Sequence, residues 1–164
     1  MGEEQKILDS FRKVFRALRL SSVRIEKKLG ISTAQLFVLS RLQSGEWITI
    51  NELASRTNTD QSSVSVVVKK LVDEKFLLKK PHPTDKRSSI ISLSLLGQKY
   101  SRTNEPLIAD RLLKGIESLS SSEQKQLTQL LNQLLTAAGL ANEEASLFFE
   151  EGKPRGRPGK KNKA

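Results

Sequence analysis

The feature that most constrains the fold of this chain is a single change in its hydrophobic period. Apolar residues recur at helical spacing along most of the sequence, whereas residues 76–93 follow a strand-like pattern and Trp47-Ile48-Thr49 could form a very short strand. Apolar residues three and four apart share one face of a helix, whereas a short apolar run between turn residues is typical of a strand. We therefore expect a mainly α fold with a small β-hairpin.

Capping residues mark where the predicted helices begin. In a capping box, a Ser or Thr and the Glu or Gln three residues later cap each other's backbone amides. The pairs here are Ser32 with Gln35, Thr49 with Glu52, and Ser120 with Glu123. We expect glycine to end the first helix, residues 5–28, at Gly30 and the second at Gly45. Pro106 should kink or split the helical pattern that follows Ser94.

Residues 49–75 fit a helix-turn-helix. A short helix with small Ala54 precedes a turn at Asn58 and Thr59, and a second helix runs from about Asp60 to about Glu74. Short polar side chains at its start suit contacts with base edges, and later lysines suit phosphates. The candidate DNA-binding residues of this helix are Gln61, Ser62, Ser63, Ser65, Lys69 and Lys70. Taken alone, the pattern fits an ordinary amphipathic helix with a solvated face equally well.

The hairpin favours the DNA-binding interpretation. Residues 76–78 and 90–93 predict two strands, and the loop between them carries Asp85, Lys86 and Arg87, which form a basic wing. Arg87 at the tip suits a narrow minor groove, where the potential is most negative. We expect Asp85 to hold Arg87 through a bidentate side-chain pair. His82, the only histidine, lies in the same loop.

These elements together resemble the MarR family of bacterial winged-helix regulators, over roughly residues 5–138. The matching residues are Leu53-Ala54, Gln61-Ser62-Ser63-Val64-Ser65, Lys69-Lys70-Leu71, Phe76-Leu77, Asp85-Lys86-Arg87-Ser88 and Ser92-Leu93-Ser94-Leu95-Leu96-Gly97. The family's wing motif, Asp-x-Arg, matches Asp85 and Arg87. The chain departs from the family pattern at Lys75, where a glycine usually precedes the first wing strand.

The resemblance implies an assembly and a regulatory mode. Members of the family are usually homodimers whose first and last helices interlock, and two recognition helices enter successive major grooves of a pseudo-palindromic operator. Many bind a small aromatic or anionic effector, for which we name no residues here. The expected domain covers residues 1–138, with a DNA-binding core at about 32–96 between the dimerisation helices.

The C-terminal stretch carries much of the charge. The formal net charge is +10, and removing the six basic residues of 153–163 leaves 22 basic against 18 acidic residues. We expect residues 139–164 to be a disordered tail. Arg155, Gly156 and Arg157, between prolines, look like an AT-hook, at 153–161, because glycine lets the backbone enter an A·T-rich minor groove. A generic basic tail or a targeting signal is the alternative.

Composition excludes other classes. With no cysteine and one histidine, the chain offers no thiolate zinc site, disulfide, thiol-based peroxide sensing or catalytic constellation, so we expect no enzyme, metal or cofactor. No apolar run reaches a membrane span, and we expect a cytoplasmic, nucleoid-associated protein. The predicted function is a sequence-specific, dimeric transcription regulator, most simply a repressor modulated by an effector. An architectural A·T-preferring DNA-binding protein is the alternative.

Overall fold

The computed structural model describes residues 2–85 and 87–143 of the chain. Within these residues it is mainly helical, with one small antiparallel sheet. The helices are α1 Glu3–Leu29, α2 Thr33–Ser40, α3 Ile50–Thr57, α4 Gln61–Asp73, α5 Leu95–Ser101, α6 Ile108–Glu117 and α7 Ser121–Ala137. The strands are β1 Ile48–Thr49, β2 Leu77–Pro81 and β3 Ser89–Leu93. The mainly α fold with a β-hairpin wing is therefore confirmed.

Local capping explains where the helices begin. All the predicted capping boxes form, at Ser32, Thr49 and Ser120, and each cap side chain accepts a hydrogen bond from a backbone amide in the first turn. Gly30 ends α1 in the left-handed conformation, with φ of 69°. These interactions involve only neighbouring residues, so each helix start is specified locally.

The prediction that Gly45 ends the second helix is wrong. Helix α2 ends at Ser40, and Arg41 leaves the helix with its guanidinium bonded to Asp110 of α6 and lying 4.4 Å from the centroid of the Phe37 ring. Gly45 lies in the turn before β1, where φ is 84°. The helix thus ends well before Gly45, and the glycine serves a separate turn.

The sheet has the strand order β1-β3-β2. The two longer strands form the predicted hairpin, with Leu77 opposite Leu93 and Pro81 opposite Ser89. The first strand adds to the far edge of β3, where Ile48 pairs with Ile91, and Trp47 lies just outside it. The wing is therefore anchored to the start of the helix-turn-helix.

Between Ser94 and α6 the helical pattern is interrupted, as predicted. Helix α5 ends at Ser101 and α6 begins at Ile108, so Pro106 lies in the connection rather than inside a helix. Glu105 in this connection is paired with Lys28 of α1, and Arg24 donates to the carbonyl of Pro106 at 3.3 Å. The connection is thereby fastened to the end of α1.

One hydrophobic core lies in the winged part of the chain. Its members come from the second half of α1 through Leu107, and the fully buried side chains include Ile25, Leu36, Leu39, Leu53, Val64, Leu71 and Ile91. Helix α7 has no buried residue, and the first half of α1 carries exposed apolar side chains. Among the described residues of a single copy, the apolar stripes of both terminal helices therefore remain exposed. No helix in residues 2–85 and 87–143 is long and apolar enough to cross a membrane.

Candidate nucleic-acid interface

Helices α3 and α4 form the helix-turn-helix. Asn58 takes the left-handed conformation, with φ of 50°, and turns the chain between them. The Thr57 hydroxyl donates to the carbonyl of Leu53 at 3.0 Å, and Leu53 packs in the core together with Val64 of α4. Because each helix buries one face against the shared core, the opposite face of α4 remains exposed.

Asp60 caps the start of α4. Its carboxylate accepts hydrogen bonds from the Ser62 hydroxyl, from the Ser63 amide at 2.9 Å and from the Ser63 hydroxyl at 2.7 Å. These donors, with Ser62 first, hold the pKa of Asp60 well below its usual range. The N-terminus of α4 therefore carries a negative charge, which interacts favourably with the helix dipole and stabilises the helix. This charge does not attract phosphate.

Only some of the predicted recognition residues lie on the exposed face of α4, partly because of this cap. Ser63 is only 9% exposed and its hydroxyl is occupied by Asp60, so it lies away from the exposed face of α4. Ser65 is half-buried and donates to the carbonyl of Gln61 at 2.7 Å. The exposed members of the predicted set are Gln61, Ser62, Lys69 and Lys70.

Val66 lies on the same exposed face. It is 53% exposed, whereas its neighbours Val67 and Val68 are buried in the core. Val66 is not among the recognition residues predicted from the sequence, although its signal is present there. At about 100° per residue, Val66 lies opposite the stripe formed by Val64, Val67, Val68 and Leu71.

The wing loop is organised by its own backbone and by His82. The His82 amide donates to the Ser88 carbonyl at 3.1 Å and closes the loop. The His82 Nδ1 atom accepts from the amides of Asp85 at 3.1 Å and Thr84 at 3.3 Å. A single histidine thus fixes the turn that leads to Arg87, which is exposed.

The expected bidentate pair between Asp85 and Arg87 does not form. Instead, the Asp85 carboxylate accepts from the backbone amide of Arg87 at 2.9 Å. This amide, followed by the Ser88 hydroxyl, lowers the pKa of Asp85. An aspartate that bonds to the amide two residues on is a common turn device, which fixes the backbone and leaves the guanidinium free to point outward. Lys86 lies outside the described residues.

The wing also carries two exposed lysines on β2 that the sequence analysis omitted, Lys79 and Lys80. The Lys80 ammonium lies 3.9 Å from the centroid of the Trp47 ring, a cation–π contact that holds the side chain beside the sheet. Their signal was visible as a basic pair directly after an apolar run. With Lys69, Lys70 and Arg87, they give α4 and the wing a positive surface that suits a polyanion.

Other chemistry finds no support in the described parts of the chain. No group of three His, Cys, Asp or Glu within residues 2–85 and 87–143 is arranged to hold a metal ion. The tail residues Arg155, Gly156 and Arg157 lie outside the described residues. What the described part offers is a polar helix face, a basic hairpin, and no assembled reactive group.

Comparison with known proteins identifies the family. Residues 31–89 match the MarR family. YkoM of Bacillus subtilis, an uncharacterized HTH-type transcriptional regulator, is 30% identical over 121 residues, which are 74% of this chain and 79% of YkoM. The chain belongs to the MarR family of winged-helix transcription regulators, whose members bind DNA and are not enzymes.

Two further proteins are similar over most of their length. MdtR of Bacillus subtilis, an HTH-type transcriptional repressor, is 26% identical over 131 residues, which are 79% of this chain and 83% of MdtR. A MepR-like protein solved in complex with pseudoligands superposes with a TM-score of 0.56 at 18% identity, covering 84% of this chain and 97% of that one. The structural similarity supports the winged-helix fold.

Proposed function

We propose that the chain is a sequence-specific repressor that binds a pseudo-palindromic operator as a homodimer. The observation that carries this proposal is the exposed polar face of α4, with Gln61, Ser62, Lys69 and Lys70, next to a basic hairpin. A helix that packs on α3 and leaves a polar face exposed fits the major groove, and the hairpin fits the adjacent backbone or minor groove.

The two parts of this surface have different tasks in the proposal. Gln61 and Ser62 at the leading end of α4, with Ser65 beside them, are short enough to contact base edges. Lys69, Lys70 and the wing cations bind phosphates and set the register, which adds affinity without sequence information. Arg87 enters the minor groove, and Asp85 positions it through its backbone.

The dimer is supported by the apolar surfaces of the terminal helices. Exposed apolar residues form a stripe on α1 and another on α7, namely Ile7, Leu8, Phe11, Val14 and Phe15, and Leu127, Leu130, Leu131, Leu134 and Leu135. An isolated soluble chain seldom exposes apolar surface on this scale, so a second copy is the natural cover. Two recognition helices related by a twofold axis then meet half-sites about one helical turn apart.

Repression and effector control are further parts of the proposal. The repressor assignment is supported by the similarity to MdtR, and effector control by the pseudoligand complex of the MepR-like protein. A ligand can release DNA only if it binds the free form of the dimer more tightly than the DNA-bound form. We propose a small aromatic or anionic molecule as that ligand.

The main test is a selection of binding sites from random duplex DNA, followed by footprinting. We expect one discrete imperfect palindrome with half-sites about one turn apart. Uniform coating of A·T-rich DNA, with no phased boundary, would instead support the architectural alternative.

Arg87→Ala should weaken operator binding and lower the salt slope by about one unit if its guanidinium meets a phosphate-lined groove. Arg16→Ala, which removes an exposed arginine from α1, is the matched control and should leave both unchanged. Unaltered binding by the Arg87 variant would refute the wing assignment.

The C-terminal residues extend the proposal to a second contact. We infer from the sequence that residues 153–161, through Arg155, Gly156 and Arg157, bind A·T-rich minor grooves flanking the operator. A tethered second contact raises affinity through effective concentration. Deleting residues 153–164 should therefore lower affinity and flatten the salt dependence, most of all on A·T-rich flanks. An unchanged salt slope would exclude the contact.

A further inference from the structure

We propose that Val66 reads the 5-methyl group of a thymine in each operator half-site and thereby contributes to sequence preference. The inference rests on the proposed function, because it requires α4 to lie in the major groove. It assigns base recognition to an apolar residue, which a search for polar recognition residues does not identify.

The first argument is the position of Val66 on α4. The helix contains three consecutive valines, of which Val67 and Val68 are 1% and 2% exposed while Val66 is 53% exposed. The residues one turn before and after it on the same face, Ser62 and Lys69, are both exposed and polar. Val66 is thus an isolated apolar group at the centre of an otherwise polar surface.

The second argument is that neither helix formation nor packing accounts for a valine here. A β-branched side chain loses rotamer freedom in a helix, so an exposed site favours Ala, Lys or Glu on propensity alone. Among the described residues, the core cluster includes Val64, Val67 and Val68 of α4, and Val72 packs against it, but Val66 does neither. A single exposed apolar residue is common on protein surfaces, but this one lies where base edges would be.

The side chain of Val66 is chemically complementary to thymine. In the major groove, thymine alone among the bases presents a methyl group, and an apolar side chain is the group that contacts it. The hydroxyls of Ser62 and Ser65 already donate to the Asp60 carboxylate and the Gln61 carbonyl, so toward a base they can only accept. The major-groove edge of thymine, an acceptor and a methyl group, offers them no donor. The two branches of valine exclude water from the methyl group, so affinity is higher for thymine than for cytosine or uracil at this position.

The charges around Val66 also indicate where the DNA-facing surface of α4 ends. Lys69 and Lys70 flank Val66 and can meet phosphates on either side of the groove. Asp73 lies on the same face as Val66, seven residues further on, about 10 Å along the axis. Its carboxylate would be repelled by phosphate, so the DNA-facing part of α4 ends before Asp73 and extends from Gln61 to Lys70, with Val66 between the polar leading end and the two lysines.

The test is a uracil scan of the operator obtained by in vitro selection. Each thymine is replaced symmetrically by deoxyuridine, which removes only the methyl group, and affinity is measured for wild type and Val66→Ala. We expect one position at which the wild type loses roughly 4-fold in affinity per half-site. Val66→Ala should bind the thymine operator more weakly and show no further loss at that position.

Controls separate this inference from the proposed function. Val23→Ala removes a valine of similar exposure, 57%, from α1 and should keep the wild-type uracil profile. Alanine is the better helix former, so Val66→Ala should unfold no earlier than wild type. Suppose that a discrete operator is selected, but that the affinity losses caused by uracil and by Val66→Ala are additive at every position. The Val66 inference is then wrong, and the proposed function stands. If no discrete sequence is selected, the proposed function itself fails.

Discussion

Gly97 of α5 lies where the backbone of the wing approaches most closely. A Cβ atom at Gly97 would lie 2.1 Å from the carbonyl oxygen of Phe76. That same carbonyl accepts a hydrogen bond from the Ser94 amide at 3.0 Å, and the Ser94 hydroxyl donates to the Lys75 carbonyl at 2.7 Å. The segment between α4 and β2 is therefore fastened to the start of α5, and any side chain at Gly97 would force them apart.

Replacing Gly97 with alanine should destabilise the protein by about 3 kcal/mol, since backbone rather than a flexible side chain must move. Thermal or urea unfolding measures the loss. The matched control is Gly115→Ala, at a helical glycine of α6 where a methyl group would have no neighbouring atom within 4 Å. It should be stabilising by about 0.5 to 1 kcal/mol. Equal effects at the two glycines would contradict the close approach.

Lys75 shows the opposite situation, a side chain where glycine would fit better. It follows α4 with φ of 66°. The Lys75 amide donates to the Val72 carbonyl at 3.1 Å and the Phe76 amide to the Leu71 carbonyl at 2.8 Å, the Schellman pattern that favours a left-handed glycine. This is the position at which the sequence departs from its family, so the departure has a conformational cost.

Lys75→Gly should therefore raise the free energy of unfolding by about 0.5 to 1 kcal/mol, after the greater flexibility of glycine in the unfolded chain is deducted. Asn58→Gly is the control, because Asn58 ends α3 with the same pair of backbone bonds and asparagine tolerates the left-handed conformation. Its gain should be clearly smaller. A destabilised Lys75 variant would show that the lysine makes an interaction that outweighs its strain.

At the scale of the elements, prediction from sequence succeeded where the determining contacts are local. The capping boxes at Ser32, Thr49 and Ser120 join residues three apart, so their sequence pattern already contains the whole interaction. The end of α2 has no such sequence marker, because the Arg41 and Leu42 amides bond to the Val38 and Leu39 carbonyls and Leu42 is buried in the core. The burial of Leu42 cannot be read from neighbouring residues before the fold is known.

The face that each residue of α4 presents was only partly predictable. Helical period alone places Val66 outward, but the choice of serines also required knowing that Asp60 draws the Ser63 hydroxyl into the cap. Similarly, Asp85 and Arg87 suggested an ion pair by charge, whereas the turn geometry brings the carboxylate to the amide. In both cases the competing backbone hydrogen bond decided the arrangement.

The cap of α4 makes the stability of this element dependent on acid. Because hydrogen bonds lower the pKa of Asp60 below its ordinary value of 3.8, its carboxylate stabilises the fold fully above that value. The contribution is lost as the pH falls toward the depressed pKa. Asp60→Asn retains an oxygen acceptor but has no such titration.

We expect wild type to be more stable than Asp60→Asn at neutral pH, with the difference shrinking below about pH 4. Thermal unfolding midpoints measured from about pH 6 down to about pH 2 give this difference directly. Asp73→Asn, which removes the same charge from the other end of α4, controls for general electrostatic effects. A difference that grows with acidification would reverse the sign and refute the cap assignment.

At the scale of the whole molecule, residues 2–85 and 87–143 leave the apolar stripes of both terminal helices exposed. The core draws its buried residues from α1 near Leu18 and Ile25 onward, and α7 contributes none. The exposed apolar stripe of α7 nevertheless runs from Leu127 to Leu135, after a polar start to the helix. A regular apolar stripe at helical spacing that stays exposed among the described residues is typical of an oligomer interface.

The dimer can be tested by placing a charge on either side of α1. Phe15 lies on the apolar stripe and is 65% exposed, and Leu20 is 59% exposed on the opposite side of the same helix. Phe15→Asp should give a folded monomer in sedimentation equilibrium, because a buried unpaired carboxylate costs several kcal/mol at an interface. It should also abolish protection of the full palindrome, since one recognition helix cannot span two half-sites. Leu20→Asp should remain dimeric. Should both variants stay dimeric, the subunits must meet elsewhere and the assignment of the terminal helices is wrong.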